Sequence, residues 1–122
     1  MCGSVPRSRG VSLNVHAEIH GLAGRAGELR DLLVEHATRL RAADGCLGAS
    51  ASEVLGEIAE FLLVVRWRDE EALRAHYRTP DFTYYVTSIG ELLARPSDVT
   101  LAEVGREVRT QADLSEDPTR QG

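Results

Sequence analysis

Leu62-Leu63-Val64-Val65-Arg66-Trp67-Arg68-Asp69-Glu70-Glu71-Ala72-Leu73-Arg74-Ala75-His76-Tyr77-Arg78-Thr79-Pro80-Asp81-Phe82 runs from an apolar strand, through an acidic helix start, to a histidine and a Thr-Pro break. Around residues 61–67, Phe61, Leu63, Val65 and Trp67 fall on one side, and Leu62 and Val64 on the other. A strand apolar on both sides is covered on both sides. One side is expected to meet this chain's helices and the other a second partner. Asp69 suits an N-cap, and Glu70 and Glu71 complement the helix dipole. Thr79-Pro80 repeats the signal as N-cap and first-turn proline.

Working outward, Phe82, Tyr85, Val86, Ile89, Leu92 and Leu93 form one helical stripe, which Ala94-Arg95-Pro96 ends. Val99 and Leu101 belong to a last strand reaching 104. On the other flank, Gly56 predicts a tight hairpin between the central strand, 57–67, and a weaker strand over 46–54 rich in Ala and Ser. Leu29, Leu32, Leu33, His36, Ala37 and Leu40 recur every three or four residues and predict a helix over 26–43. Gly45 is expected to end it in the left-handed position. Residues 11–20 alternate: Val11, Leu13, Val15, Ala17 and Ile19 on one face, Ser12, Asn14, His16, Glu18 and His20 on the other. That polar face either meets solvent or lines a polar cavity or subunit interface.

The order is strand, helix, strand, strand, broken helix, strand. It predicts an α+β, ferredoxin-like βαββαβ fold over 11–104, a four-stranded antiparallel sheet with helices on one face. Leu62 and Val64 would then form an exposed patch on the bare face, which a two-fold, sheet-to-sheet homodimer would cover. The segments 1–10 and 105–122 lack periodicity and are expected to be disordered tails.

The 122 residues, 43% hydrophobic and 27% charged, suit a single globular domain. A net charge of −5 offers no basic field for nucleic acid or an anionic membrane. Every basic residue is Arg, which excludes a Schiff-base lysine. Cys2 and Cys46 form neither a disulfide framework nor a metal-ligand pattern, so a reduced, cytoplasmic protein is expected. No apolar run approaches the roughly 18 residues of a membrane span.

The segments Val15-His16-Ala17-Glu18-Ile19, Asp44-Gly45-Cys46 and Arg66 to Phe82 resemble the antibiotic biosynthesis monooxygenase domains, of the dimeric α+β barrel superfamily. The last is the most recognisable: Trp at the strand end, an acidic helix start, Ala-His, then Thr-Pro. The resemblance implies cofactor-free oxidation of a quinol, phenol or anthrone-like aromatic by O₂, in a homodimer. No dinucleotide glycine motif or Cys/His metal cluster stands against this.

The resemblance offers His76 as general base, with an ordinary pKa near 6.5; the other reading is a structural histidine tying the helix break to the sheet. Trp67 is either a flat wall for an aromatic ligand or packing beneath the first helix. Tyr84 and Tyr85 are candidate hydroxyl donors, with Tyr85 on the apolar stripe. Asn14 and His16 would hold the substrate oxygen if their face lines the cavity. His36, on the first helix's stripe, is a further candidate or a packed core histidine. The anthrone-oxidising branch has Asn before the Trp and Tyr after it, where this chain has Leu63 and Leu73. This argues against anthrones in particular. The haem-degrading branch needs a histidine in the second half of the broken helix, and residues 80–94 have none. An isomerase or cyclase on the same fold, or a non-catalytic dimer binding a small aromatic, are the alternatives.

Overall fold

In the computed structural model, which describes residues 12–105, strands β1 (Ser12–His20), β2 (Cys46–Glu53), β3 (Glu60–Trp67) and β4 (Asp98–Val104) alternate with helices α1 (Ala26–Arg41), α2 (Glu70–Tyr77) and α3 (Pro80–Gly90). The order is the expected βαββαβ. The strands form one antiparallel sheet, ordered β2-β3-β1-β4. The fold is α+β and ferredoxin-like, with the helices on one face. The segments expected to be tails, 1–10 and 105–122, lie outside the described residues except for Gly105.

Period-two patterning decides what the sheet buries. Leu13, Val15, Ala17 and Ile19 of β1 meet Phe61, Leu63, Val65 and Trp67 of β3 beneath the helices, and all eight are buried. The α1 stripe is buried in full, from Leu29 to Leu40 and including His36. It packs over β2, whose small Ala49 and Ala51 let a helix approach closely. Leu62 and Val64 point the other way and are half-buried. Their neighbours there are Glu18 and Ser52, and His16 and Ser50.

Several boundaries differ from expectation. β3 starts at Glu60 rather than 57, because the loop before it is wider than a tight hairpin. Both Gly56 (φ 88°) and Ala59 (φ 57°) turn the chain in the left-handed region. The second half of the broken helix stops at Gly90, so Leu92 and Leu93 lie beyond it. They turn back on β1 instead: Leu22 N donates to Leu92 O, and Ala94 N to His20 O, each at 2.8 Å.

Gly45 does not cap α1, which ends at Arg41 with Ala42 as its C-cap. It makes the turn into β2 with φ 84°, and its carbonyl accepts from Arg68 N at 2.7 Å. A Cβ at this position would overlap the Ala72 methyl. Gly45→Ala is therefore expected to cost about 2–4 kcal/mol, from a left-handed alanine plus overpacking. A lowered urea midpoint with unchanged slope would register it.

His20 breaks the alternation. It falls on the polar side of β1, yet is 5% exposed. Its Nδ1 lies 2.7 Å from Glu60 and its Nε2 2.9 Å from Asp98. A neutral imidazole donates from one nitrogen only, so two carboxylates together favour the imidazolium. Hydrogen bonds to Asp98 and Glu60 raise the pKa above 6.5, against burial and the Arg95 charge. Glu18 completes a group with His20 and Asp98 whose polar atoms lie within 4.8 Å. Arg95, 3.9 Å from Asp98, makes it an ion-pair cluster. Because the folded pKa is raised, the stability it contributes is complete below about pH 6.5 and is lost as pH rises through the folded value. Stability is expected to decline as pH rises above about 6.5, less steeply in His20→Gln, as thermal unfolding across that range would show.

Candidate active site

Helix α3 does not lie flat on the sheet. Of its stripe only Ile89 is buried; Phe82 and Tyr85 are half-buried and Val86 is exposed. Its ends hold it. The Thr79 hydroxyl accepts from Phe82 N at 3.2 Å at one end, and the Leu92 turn ties the other to β1. Between its apolar side and the sheet is a cavity of about 240 Å³. Val15, Ala17, Leu63, Val65 and Trp67 line the sheet side. His36 and Leu40 enter from α1, Leu73, His76 and Tyr77 from α2, and Phe82, Tyr85, Val86 and Ile89 from α3. Tyr77, Val86 and Val99 also reach solvent, so the opening is on their side.

The Asp69 cap starts α2, accepting from Ala72 N at 2.8 Å. Thr79 Oγ1 donates to the His76 carbonyl at 2.7 Å and fixes the helix break around that residue. The His76 ring is held by other rings: Trp67 at 5.0 Å, Phe82 edge-on at 5.4 Å and His36 at 6.1 Å. Burial lowers its pKa below 6.5, opposed by the Asp81 carboxylate. At neutral pH it is a free base able to accept a proton.

His36 stacks on Tyr85, with centroids 3.7 Å apart and planes 8° from parallel. Burial, with a contribution from His76, lowers its pKa to about 4. Burial pushes the Tyr85 and Tyr77 hydroxyls up, so both stay protonated donors. The depressed His36 costs stability as pH falls from about 6.5 toward 4, opposite in sense to His20.

His76, Trp67, His36 and Tyr85 thus converge on one cavity. The other three candidates do not. Asn14 and His16 leave β1 from the opposite face, because Val15 and Ala17 occupy the cavity side. The expectation that they hold a substrate oxygen in this cavity is not met. Tyr84 lies about 100° round α3 from Tyr85. It is 48% exposed beneath the Arg39 guanidinium at 5.2 Å, outside the cavity. Tyr77 and Phe82 line the site but were not candidates. The signal for them was the clustering of aromatic residues at 77, 82 and 85 about the Thr79-Pro80 break. Among the described residues no helix is long and apolar enough to cross a membrane.

Residues 12–88 match the model of the family described as "Antibiotic biosynthesis monooxygenase". "Putative monooxygenase YcnE" of Bacillus subtilis (strain 168) is 35% identical over 72 residues, 59% of this chain and 73% of YcnE. "Putative monooxygenase Rv0793" of Mycobacterium tuberculosis is 38% identical over 73 residues, 60% of this chain and 71% of its own length. The crystal structure of a "putative antibiotic biosynthesis monooxygenase" from Deinococcus radiodurans superposes with a TM-score of 0.76 at 28% identity, over 82% of this chain and 99% of that one. The matched segment carries every cavity residue named above except Ile89 and Val99. By sequence and by fold, the chain belongs to the antibiotic biosynthesis monooxygenase family.

Proposed function

We propose that this chain is a cofactor-independent monooxygenase that oxidises a quinol, phenolic or polycyclic aromatic substrate with O₂, with His76 as general base. One observation carries the reading: an imidazole kept neutral by burial stands 5.0 Å from Trp67 at the wall of an apolar, ring-lined cavity. An electron-rich phenolate can itself pass an electron to O₂. The protein then has to bind the substrate, take its proton and keep water out. Trp67 supplies a flat wall. The Tyr85 hydroxyl, held protonated, is a hydrogen-bond donor for the developing oxyanion.

The sequence of steps balances. His76 removes the hydroxyl proton, and the anion transfers an electron to O₂. The two radicals join at carbon. The resulting peroxide takes up a proton and loses water, with the carbon's hydrogen, to leave a carbonyl. One oxygen atom enters the product and the other leaves as water. The test is oxygen uptake by the metal- and flavin-free protein over a panel of quinols, phenols and anthrones; no uptake with any of them would falsify the reading.

Leu63 and Leu73 favour a second reading, because both line the cavity and neither offers a polar group to O₂ chemistry. It is an isomerase or cyclase in which His76 shuttles a proton. Equal turnover with and without oxygen would select it. In either reading the functional unit is a homodimer packed sheet to sheet. Its support is the pair Leu62 and Val64, half-buried on the helix-free face. Light scattering should report twice the 13.3 kDa chain mass at micromolar concentration.

A further inference from the structure

A second hollow, of about 320 Å³, adjoins the first. Arg39, Asp44, Thr79 and Asp81 stand around it, together with Ala42 and Ala43. Among the described residues, His36 and His76 are the two that line both spaces. The pair of imidazoles, 6.1 Å apart, therefore stands between the ring-lined cavity and a hollow bordered by charged side chains.

A base in an apolar chamber faces a difficulty. Once protonated it is a buried cation among Trp67, Phe82 and Leu73, and burial penalises the charged form. It needs a counter-charge and a path to water. The charged and titratable groups facing His76 are His36 and Arg39 from α1, Asp44 from the following turn, Tyr77 on α2 itself, and Asp81 and Tyr85 from α3. β3 contributes Trp67, which does not titrate. His36 is unsuited to hold the proton, since burial beside His76 lowers its pKa to about 4. Arg39 is occupied by Glu35 at 3.0 Å and Asp81 at 3.7 Å. Asp81 is 58% exposed at its side chain, so water reaches it.

We infer that this second hollow, bordered by charged side chains, is the proton port of the site. His76 takes the substrate proton on the cavity side and yields it to water on the side of this hollow, and Asp81 is the positioning residue that steadies the imidazolium. This deepens the proposed role of His76 and rests on it. The substrate O–H bond breaks with its electron pair left on oxygen. The proton passes to an imidazole nitrogen, and that N–H bond then breaks to water. The proton later needed by the peroxide returns through the same imidazole, so none is gained or lost over a turnover.

The test is nuclear magnetic resonance of histidine-labelled, ligand-free protein, comparing wild type, Asp81→Asn and Asp81→Glu, beside their rate–pH profiles for oxygen uptake. The expected result is a downward shift of the His76 midpoint in Asp81→Asn, restored in Asp81→Glu, with the acid limb of the rate profile moving by the same amount. Ala42→Trp, at the exposed wall of the hollow, is expected to slow exchange of the His76 N–H with bulk water several-fold while that midpoint stays in place. An unmoved midpoint in Asp81→Asn, or unslowed exchange in Ala42→Trp, overturns the port even if His76→Ala abolishes turnover. If His76→Ala leaves turnover intact, both the port and the base assignment fall.

Discussion

Replacing His76 with alanine is expected to lower kcat/KM for a phenolic substrate by about 10²–10⁴, the usual worth of a positioned general base. The argument starts from burial. The residue is 9% exposed and its ring is set among Trp67, Phe82 and His36, so burial favours the neutral form while Asp81 opposes the shift. Its folded pKa lies below 6.5, so the free base is the major form at neutrality. Activity should rise with pH through that value and then stay level. The alanine variant should lose this limb along with its rate. A melting curve close to wild type would assign the loss to chemistry, since α2 keeps its Asp69 cap and its buried Leu73. A variant with full activity would leave His76 as a wedge that fills space at the helix break.

Trp67→Ala should have the largest effect on stability, about 3–5 kcal/mol. Trp67 ends β3, is 1% exposed and pairs with Leu13 on one side and Cys46 on the other. It also faces the cavity, so the removed indole would join an existing void that the sheet cannot close. Collapse is the usual relief for such a deletion, and here it is obstructed. A domain of this size should melt more than about 12 °C lower. Trp67→Phe keeps a flat ring and separates the two duties. It should retain most of the stability and lose affinity for extended aromatics. Equal melting temperatures for wild type and Trp67→Ala would show that the indole carries no core packing.

The fold was legible because its elements obey their own periods. The α1 stripe from Leu29 to Leu40 is buried residue for residue, and both N-caps, Asp69 and Thr79, accept the backbone donors expected of them. His76 and Trp67 were legible because a family pattern marks them. The face of β1 was not, since alternation separates Asn14 and His16 from Val15 and Ala17 without saying which set meets a cavity. The α3 stripe was legible only in part. Phe82, Tyr85 and Val86 form the expected apolar stripe, but they line the cavity instead of closing fully on the sheet. His20 shows the limit most plainly: its burial depends on Glu60 and Asp98, partners far away in sequence.

That lifted helix also sets where the molecule yields first. Hydrogen-exchange protection follows the apolar surface that must be exposed to open a segment. α1 must give up six buried side chains to open, and α3 only Ile89. The amides of α3 should therefore exchange well before those of α1, by local opening between its two tethered ends. A flat aromatic seated in the cavity would supply the missing packing and slow that exchange, because it binds the closed form alone. A ligand seated there would in this sense be the last part of the core, and the helix above it would be complete only while the cavity is filled.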